Sequence, residues 1–548
     1  MDLTIFGLTD VVVSLKETYL ANFFAMLITI SFMLVVFSMK KYDLPKSFYA
    51  FFVLLTSALY LIVYANDYLL FFIGWEVMSI STYFLLSFTL SKEALHKYIL
   101  FAIASALSMF MAILILYSTN HSFLYSDAKS SFEQLSTNME VVFTALMLFA
   151  IFVKLGVIGF HYWLVDAYEE SHHIFTPFLS AILSKMGVYA LIILVTYVVK
   201  LDMILAIIGV VTSIIATFKA IQEDSVKRLL AYSSIAQLGY IVTVLGVSDG
   251  MGGALYHSLI HTAVKLLLFI NIAGIIYITS RSKFSELGGL IYKTPQSFVL
   301  LLIGIIALAG MPPLGGFSSK FMIYTSLLDA KYLLILSAVM FSSASAFLYV
   351  YKLIYGIYLG HPTNKKLENI KEVPISFLIP QYFLASVVIV LGAFPAIVVP
   401  YFNKILSQMH LQTLTFTDAS TLITSFSQFN GLVILGTFCS IFIVVLLVFV
   451  NLRSKTKEAK NRFDIAYCGE VPTEASHLHY GAGMGKELKR VGFIKVILDN
   501  SVKYFYNFLA KQTLAFSEFF RKIYSGDLSL NFNIAIMFLT ILLFVTLK

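Results

Sequence analysis

Apolar runs of about twenty residues, each closed by a short polar break, recur along the chain. A helix of that length crosses the hydrocarbon core of a bilayer. Reading from break to break predicts fourteen spans, near 20–39, 49–65, 67–90, 97–117, 141–164, 173–199, 202–220, 231–247, 254–279, 298–327, 332–359, 376–400, 431–451 and 531–547. Two are interrupted. The fifth carries Gly156 and Gly159 in apolar sequence, and the tenth carries Gly310-Met311-Pro312-Pro313-Leu314-Gly315-Gly316. Proline removes a backbone donor and glycine loosens the helix, so breaks are expected at Gly156, Gly159, Pro312 and Pro313. A pair of broken helices five spans apart is the trace expected of inverted five-helix repeats with a site at the midplane.

Residues 452–530 have a different pattern. They begin with a basic run from Arg453 to Arg462 and end in a helical pattern from about Gly492 to Tyr524. There Ile494, Ile497, Leu498, Val502, Phe505, Phe508 and Leu509 recur at spacings of three and four, which predicts an amphipathic helix along a membrane surface or a neighbouring subunit. The chain thus divides into N-terminal spans (1–95), a core (96–360), additional spans (361–451), a cytoplasmic segment with the lateral helix (452–530) and a closing span (531–548).

Composition strengthens the membrane assignment. Of 548 residues, 59% are hydrophobic and 12% charged, where a soluble domain carries about 25% charged. The mean hydropathy is +0.87. The expected fold class is an all-α polytopic membrane protein. A net charge of +8 invites a nucleic-acid reading, but the basic residues sit in short loops and one late segment. Loops after odd-numbered spans hold thirteen Lys and Arg, and loops after even-numbered spans hold four. The positive-inside rule then puts both termini outside the cell membrane. Met1 leads into an acid-bearing stretch with no basic n-region, so no cleavable signal is expected. Cys439 and Cys468 are too few for an iron–sulfur site.

Ionisable residues inside spans carry the chemistry. Lys154, Lys185, Lys219, Lys265, Lys320 and Lys352 are basic, Glu76 is acidic, and His161, His257 and His261 titrate. Each charge at bilayer depth costs at least ~2.5–3.5 kcal/mol. Desolvation favours the neutral amine and a nearby carboxylate favours the charged one, so opening or closing a Lys–Glu pair switches proton affinity. Lys219 and Lys352, near span ends, are expected to snorkel to the headgroups. Lys154, Lys185, Lys265 and Lys320 lie deeper or beside a break, and Glu76 falls halfway along its span. His257, His261 and Lys265, four residues apart, share one helix face. Zinc fits His257 and His261 poorly, because Ser258 stands where the metalloprotease motif has glutamate. Gly481 to Lys486 misses the phosphate-loop spacing, with Glu487 at the Ser/Thr position. No catalytic constellation is evident.

Six ordered blocks over about residues 20–360 carry a resemblance. They are Gly74-Trp75-Glu76-Val77-Met78-Ser79; Lys154 with Phe160-His161-Tyr162-Trp163-Leu164-Val165-Asp166-Ala167; Thr176-Pro177 through Lys185-Met186-Gly187-Val188-Tyr189; Asp224 to Ser234; His257 to Lys265; and Gly310 to Lys320. Together they resemble the antiporter-like subunits of respiratory complex I, energy-converting membrane-bound hydrogenases and Mrp-type sodium/proton antiporters. The resemblance implies that Glu76 is the channel glutamate, Lys154 its partner, and Lys185 the central lysine. It makes His257, His261 and Lys265 the linking row and Lys320 the lysine toward the exit. Protons would move along this axis through internal water. The family commonly has two more spans before the glutamate, and Gly159 and Val165 stand where prolines are common.

The implied function is an ion-translocating subunit of a membrane redox complex, with the proton as the favoured ion and a hydrogenase ahead of a quinone-linked complex I. Phe463 to Glu470, the lateral helix and the closing span resemble hydrogenase-linked members most. No cofactor is expected on this chain; iron–sulfur clusters, and a nickel–iron centre in a hydrogenase, would belong to partner subunits. Expected partners are those subunits, a neighbouring antiporter-like subunit along the lateral helix, and lipid, with no nucleic acid. The alternatives are an Mrp-type antiporter subunit and the ion-coupling subunit of a non-redox uptake complex.

Overall fold

The computed structural model describes residues 2–4, 12–359, 367, 370–424, 428–452, 490, 492, 495 and 501–523. Helix starts are set by side-chain caps where the chain leaves its loops. Thr18, Asp67, Ser91 and Ser225 accept from backbone N–H groups in the first turns of α1 (Tyr19–Met39), α3 (Tyr68–Ser87), α4 (Lys92–Asn120) and α10 (Val226–Leu245). Between them run α2 (Lys46–Tyr64), the short α5 (Tyr125–Glu133), α6 (Thr137–Leu155), α7 (Tyr162–Glu170), α8 (Thr176–Tyr197) and α9 (Asp202–Gln222). The chain continues through α11 (Met251–Thr279), α12 (Pro295–Ala309), α13 (Gly315–Asp329), α14 (Leu333–Leu359), α15 (Ile375–Ala393), α16 (Val399–Gln408) and α17 (Gly431–Leu452).

Twelve helices among the described residues are long and apolar enough to cross a membrane, and α12 is a shorter apolar helix. Thirteen of the fourteen predicted spans have counterparts, the tenth as the broken pair α12–α13. The fourteenth lies outside the described residues, as do the basic run, the Gly481–Lys486 segment and Cys468. Two details depart from the expectation. The fifth span ends at Leu155 rather than near 164, because Gly156 takes a left-handed conformation (φ 67°) and helix resumes only at Tyr162. Among the described residues the helical framework also carries two small antiparallel sheets: β1 (Asp2–Thr4) pairs β2 (Val12–Ser14), and β3 (Thr415–Asp418), β4 (Thr421–Ile423) and β5 (Gln428–Asn430) form the other in that order.

The core consists of α8, α10 and α11. In each, 94% of the most apolar stretch is buried by other parts of the protein, against 39–61% for the other candidate spans of the bundle and 6% for α17. Such helices, enclosed on all sides, can keep amines out of lipid. Close backbone approach locks α9 onto α10: a Cβ on Gly209 would lie 2.3 Å from the Thr243 backbone nitrogen, and one on Gly239 2.7 Å from the Gly209 carbonyl oxygen.

The two breaks close alike, although their sequences share little. Gly156 and Gly310 both adopt φ near +70° (67° and 77°). Val157 N–H then donates to Phe152 O, and Met311 N–H to Ile306 O, both at 3.1 Å, satisfying carbonyls that the helix end frees. Gly159 adopts φ 100°, and the Pro312–Pro313 bond is cis. A further carbonyl at each break is taken by a side chain from the resumed helix. Trp163 Nε1 donates to Val153 O (3.0 Å), and Lys320 Nζ to Ala309 O (2.8 Å). Lys154 and Lys320 therefore sit beside the two breaks, where the chain leaves backbone polar groups free to be bonded.

The C-terminal unit, residues 488–548, contains the helix α18 (Ser501–Ile523), which falls within the predicted amphipathic stretch.

Candidate proton-transfer row

Glu76 and Ser79 lie three residues apart on α3 and so share a face. Lys154, in the last turn of α6 before the break, reaches that face. Its Nζ donates to Ser79 Oγ at 2.9 Å and lies 5.7 Å from the ring centroids of both Trp75 and Tyr98. Glu76 Oε1 is buried with no hydrogen-bond partner. The carboxylate and the amine are close enough to feel each other's charge without forming an ion pair. Beside Lys154 is a cavity of ≈ 10 Å³, lined by Tyr98, Tyr168, Leu183 and Ser184 among others. That is room for about one water. Ser184 immediately precedes Lys185.

Lys185 comes just after a π-helical turn at Leu179–Leu183 in α8. Such a turn rotates the helix beyond it relative to the helix before it, and it is common at functional sites. Lys185 is fully buried, and its Nζ is 2.6 Å from His261 Nδ1 on α11. The spacing predicted from sequence holds along α11: the His257 and His261 rings stand 6.2 Å apart, and Lys265 is the next residue on that face. Lys265 Nζ donates to Ser233 Oγ (2.5 Å) and Leu230 O (3.1 Å) on α10. In the other direction, His257 Nδ1 is 3.0 Å from Ser319 Oγ, next to Lys320. Lys320 Nζ donates to Ser343 Oγ on α14 (2.7 Å) and lies over the Tyr240 ring. The two histidines turn their Nδ1 atoms to different partners rather than to a shared point, a poor geometry for a metal. His161 is buried at the first break, with Nδ1 lacking a partner, and lies near Tyr232 rather than in the row.

Two lysines behave differently from their sequence reading. Lys352 does not snorkel: it is 1% exposed and donates to Ile221 O (3.0 Å). The C-terminus of α9 offers unpaired carbonyls there, an alternative to the headgroups that sequence position does not reveal. Lys227, counted as a loop charge, is also buried, with Nζ 2.6 Å from Ser171 O. Nearby, Arg228 pairs with Asp166, Glu169 and Glu223 at 2.9–3.0 Å, and Asp166 also pairs with Lys97 at 3.0 Å. Burial raises the Glu223 carboxyl above its ordinary range, and Arg228 opposes that shift. His172 and His173 stack at 4.6 Å beneath Tyr42. Burial and the Lys227 charge lower them to about 4 and about 3, with His172 adding to the shift of His173.

From this surface a run of hydroxyls leads inward. Ser171 Oγ meets Thr176 Oγ1 at 2.7 Å, and deeper Ser180 Oγ meets Ser234 Oγ at 3.0 Å, next to Ser233. Sequence reading singled out none of these serines as functional. Serine is common in membrane helices, and only cross-helix geometry distinguishes a lysine partner from a hydroxyl bonded to its own helix.

A long-helix membrane bundle with two broken helices around a buried lysine row is the fold of antiporter-like membrane subunits. The family described as NADH:quinone oxidoreductase/Mrp antiporter, TM matches residues 65–346, and the chain belongs to it. It is an antiporter-like membrane subunit. The Na(+)/H(+) antiporter subunit A1 of Staphylococcus epidermidis is 27% identical over 430 residues, 72% of this chain and 53% of that protein, so this chain spans about half of that relative's length. A chain of the archaeal membrane-bound sulfane sulfur reductase superposes with a TM-score of 0.88 at 25% identity, covering 99% of this chain and 91% of that one. A chain of the Mrp complex from Dietzia sp. DQ12-45-1b gives 0.67 at 19% identity, covering 73% and 85%.

Proposed function

We propose that this chain is the proton-translocating subunit of a multisubunit membrane redox complex, moving protons along Lys154, Lys185, His261, His257 and Lys320, with Lys265 on the other side of His261, as electrons pass through partner subunits. The observation that carries this reading is the row itself: Lys154, Lys185, Lys265 and Lys320 are all buried, Lys185 meets His261, and His257 reaches the serine beside Lys320. A buried amine exchanges protons readily, and when charged it repels sodium. The unpartnered Glu76 Oε1 beside Lys154 supports Lys154 as the entry to the row. A charge displaced in a neighbouring subunit would act on Glu76, then on Lys154, and so on the proton affinity of Lys185.

Coverage favours a redox complex of the sulfur-reductase or hydrogenase kind over an Mrp antiporter. The reductase chain's match covers 99% of this chain and the Mrp chain's 73%. In this reading electrons travel through iron–sulfur clusters of the partners, and α18 braces a neighbouring antiporter-like subunit.

The test is extraction from native membranes in mild detergent, identification of the companion subunits, and assay of their metals. Nickel with iron supports a hydrogenase, and iron without nickel a sulfur- or quinone-linked reductase. Neither metal, with only small membrane companions, overturns the redox assignment in favour of an antiporter. Proton uptake that depends on sodium concentration rather than electron donor leads to the same conclusion.

A further inference from the structure

Three of the four lysines in the row have the same kind of partner, and each partner stands on another helix. Lys154 on α6 meets Ser79 on α3, Lys265 on α11 meets Ser233 on α10, and Lys320 on α13 meets Ser343 on α14, at 2.9, 2.5 and 2.7 Å. The fourth, Lys185, meets His261. A carboxylate or a carbonyl only accepts, so it favours the ammonium. A hydroxyl does both: it accepts from an ammonium and, after rotating, donates to the lone pair of a neutral amine. Ser79 and Ser233 now donate to Trp75 O and Leu230 O in their own helices, both at 2.8 Å, which turns their lone pairs to the lysines. Imidazole has the same two-way capacity.

At Lys154 the serine competes with an acid. Glu76 is one turn away on the same face, yet the amine sits on Ser79 and Glu76 Oε1 has no hydrogen-bond partner. The other groups facing Lys154 are the Trp75 and Tyr98 rings and, across the small cavity, Tyr168. Lys185 and His261 face Lys265. His257, Tyr240 and Tyr324, the last of which is bonded to Ser343, surround Lys320.

We propose that Ser79, Ser233 and Ser343 are positioning residues that hold the row's lysines in either charge state, and that Ser79 also keeps Lys154 off Glu76. This rests on the proton-transfer reading above. The experiment uses sealed membrane vesicles carrying the intact complex, energised with the electron donor its companions oxidise, with protons monitored by a pH-sensitive dye and normalised to electrons passed. Ser→Ala at each site lowers protons per electron by about tenfold, the weight of one hydrogen bond to a charged group. Ser→Thr, which keeps the hydroxyl, stays within about twofold of the native ratio. Ser→Cys keeps the volume but bonds weakly, and behaves as alanine does.

The pH profile separates the sites. In Ser79→Ala the amine's remaining partner is an acid, so the alkaline limb of pumping moves up by about one pH unit. In Ser233→Ala and Ser343→Ala the remaining partners are the Leu230 and Ala309 carbonyl oxygens, which are neutral acceptors, so the limb moves up there by clearly less. Native ratios and profiles in all three alanine variants overturn the proposal. So does threonine failing as badly as alanine, which marks a packing role. Lys185→Ala is run alongside: if it pumps normally the proton-row reading itself fails, whereas a dead Lys185→Ala with normal serine variants removes the serine assignment alone.

Discussion

Lys185 Nζ and His261 Nδ1, 76 positions apart in sequence, stand 2.6 Å from each other at the centre of the bundle. The contact joins α8 to α11, between the Lys154 end of the row and its His257–Lys320 end. Lys185→Ala is expected to abolish proton pumping while electron transfer in the assembled complex continues at least in part. His261→Ala, which leaves the amine but removes its relay partner, is expected to lower pumping by about a hundredfold. Dye-based proton uptake measured beside donor oxidation checks both.

Glu76→Gln keeps the volume and removes the charge. With the acid gone, nothing draws Lys154 from Ser79, and pumping is expected to fall by about tenfold or more. The complex should assemble normally, because Glu76 Oε1 makes no hydrogen bond in this structure. Native gel yield together with proton uptake tests the two halves of the prediction. A large loss of assembly would show that Glu76 is a packing residue.

Gly316 lies where α13 resumes against the end of α12. A Cβ there would come within 1.8 Å of Ala307 O, a backbone atom with little room to move. Gly316→Ala is expected to destabilise the second break by roughly 1–3 kcal/mol. It should displace Lys320 from Ala309 O as well. Thermal denaturation of the purified complex reports the first effect, and loss of pumping in the surviving fraction the second.

His172 and His173 give the loop between α7 and α8 an acid-side weakness. Their folded values, about 4 and about 3, lie below the unfolded value near 6.5. The unfolded chain therefore binds more protons as pH falls below about 6.5, and stability drops through the window down to about 4 for His172 and about 3 for His173. The expected loss is on the order of 1–2 kcal/mol per histidine near pH 4.5, allowing for partial exposure. A melting temperature that falls between pH 7 and pH 4.5, and falls less in His172→Gln, is the result to look for.

Much of the fold is legible in the sequence because a bilayer makes strict demands. Twenty apolar residues read as a span whatever their neighbours, and a cluster of glycines or prolines within one reads as a break. The four lysines of the row are legible for the same reason, since a charge in a span is too costly to be incidental. Helical periodicity alone also places His257, His261 and Lys265 on one face. Lys352 and Lys227 are misread from sequence because their partners, Ile221 O and Ser171 O, belong to distant turns of chain.

Sequence alone determined the class, the spans among the described residues, the two breaks and the ionisable residue types inside the spans, because each comes from local hydropathy and backbone chemistry. Tertiary structure decided which polar groups meet. Lys154 faces both Ser79 and Glu76 yet rests on the serine, Lys185 finds His261 beyond a π-turn, and two dissimilar breaks close with the same hydrogen bonds. These are contacts between helices, and an enclosed apolar helix carries little in its own sequence to say which neighbour each face will meet.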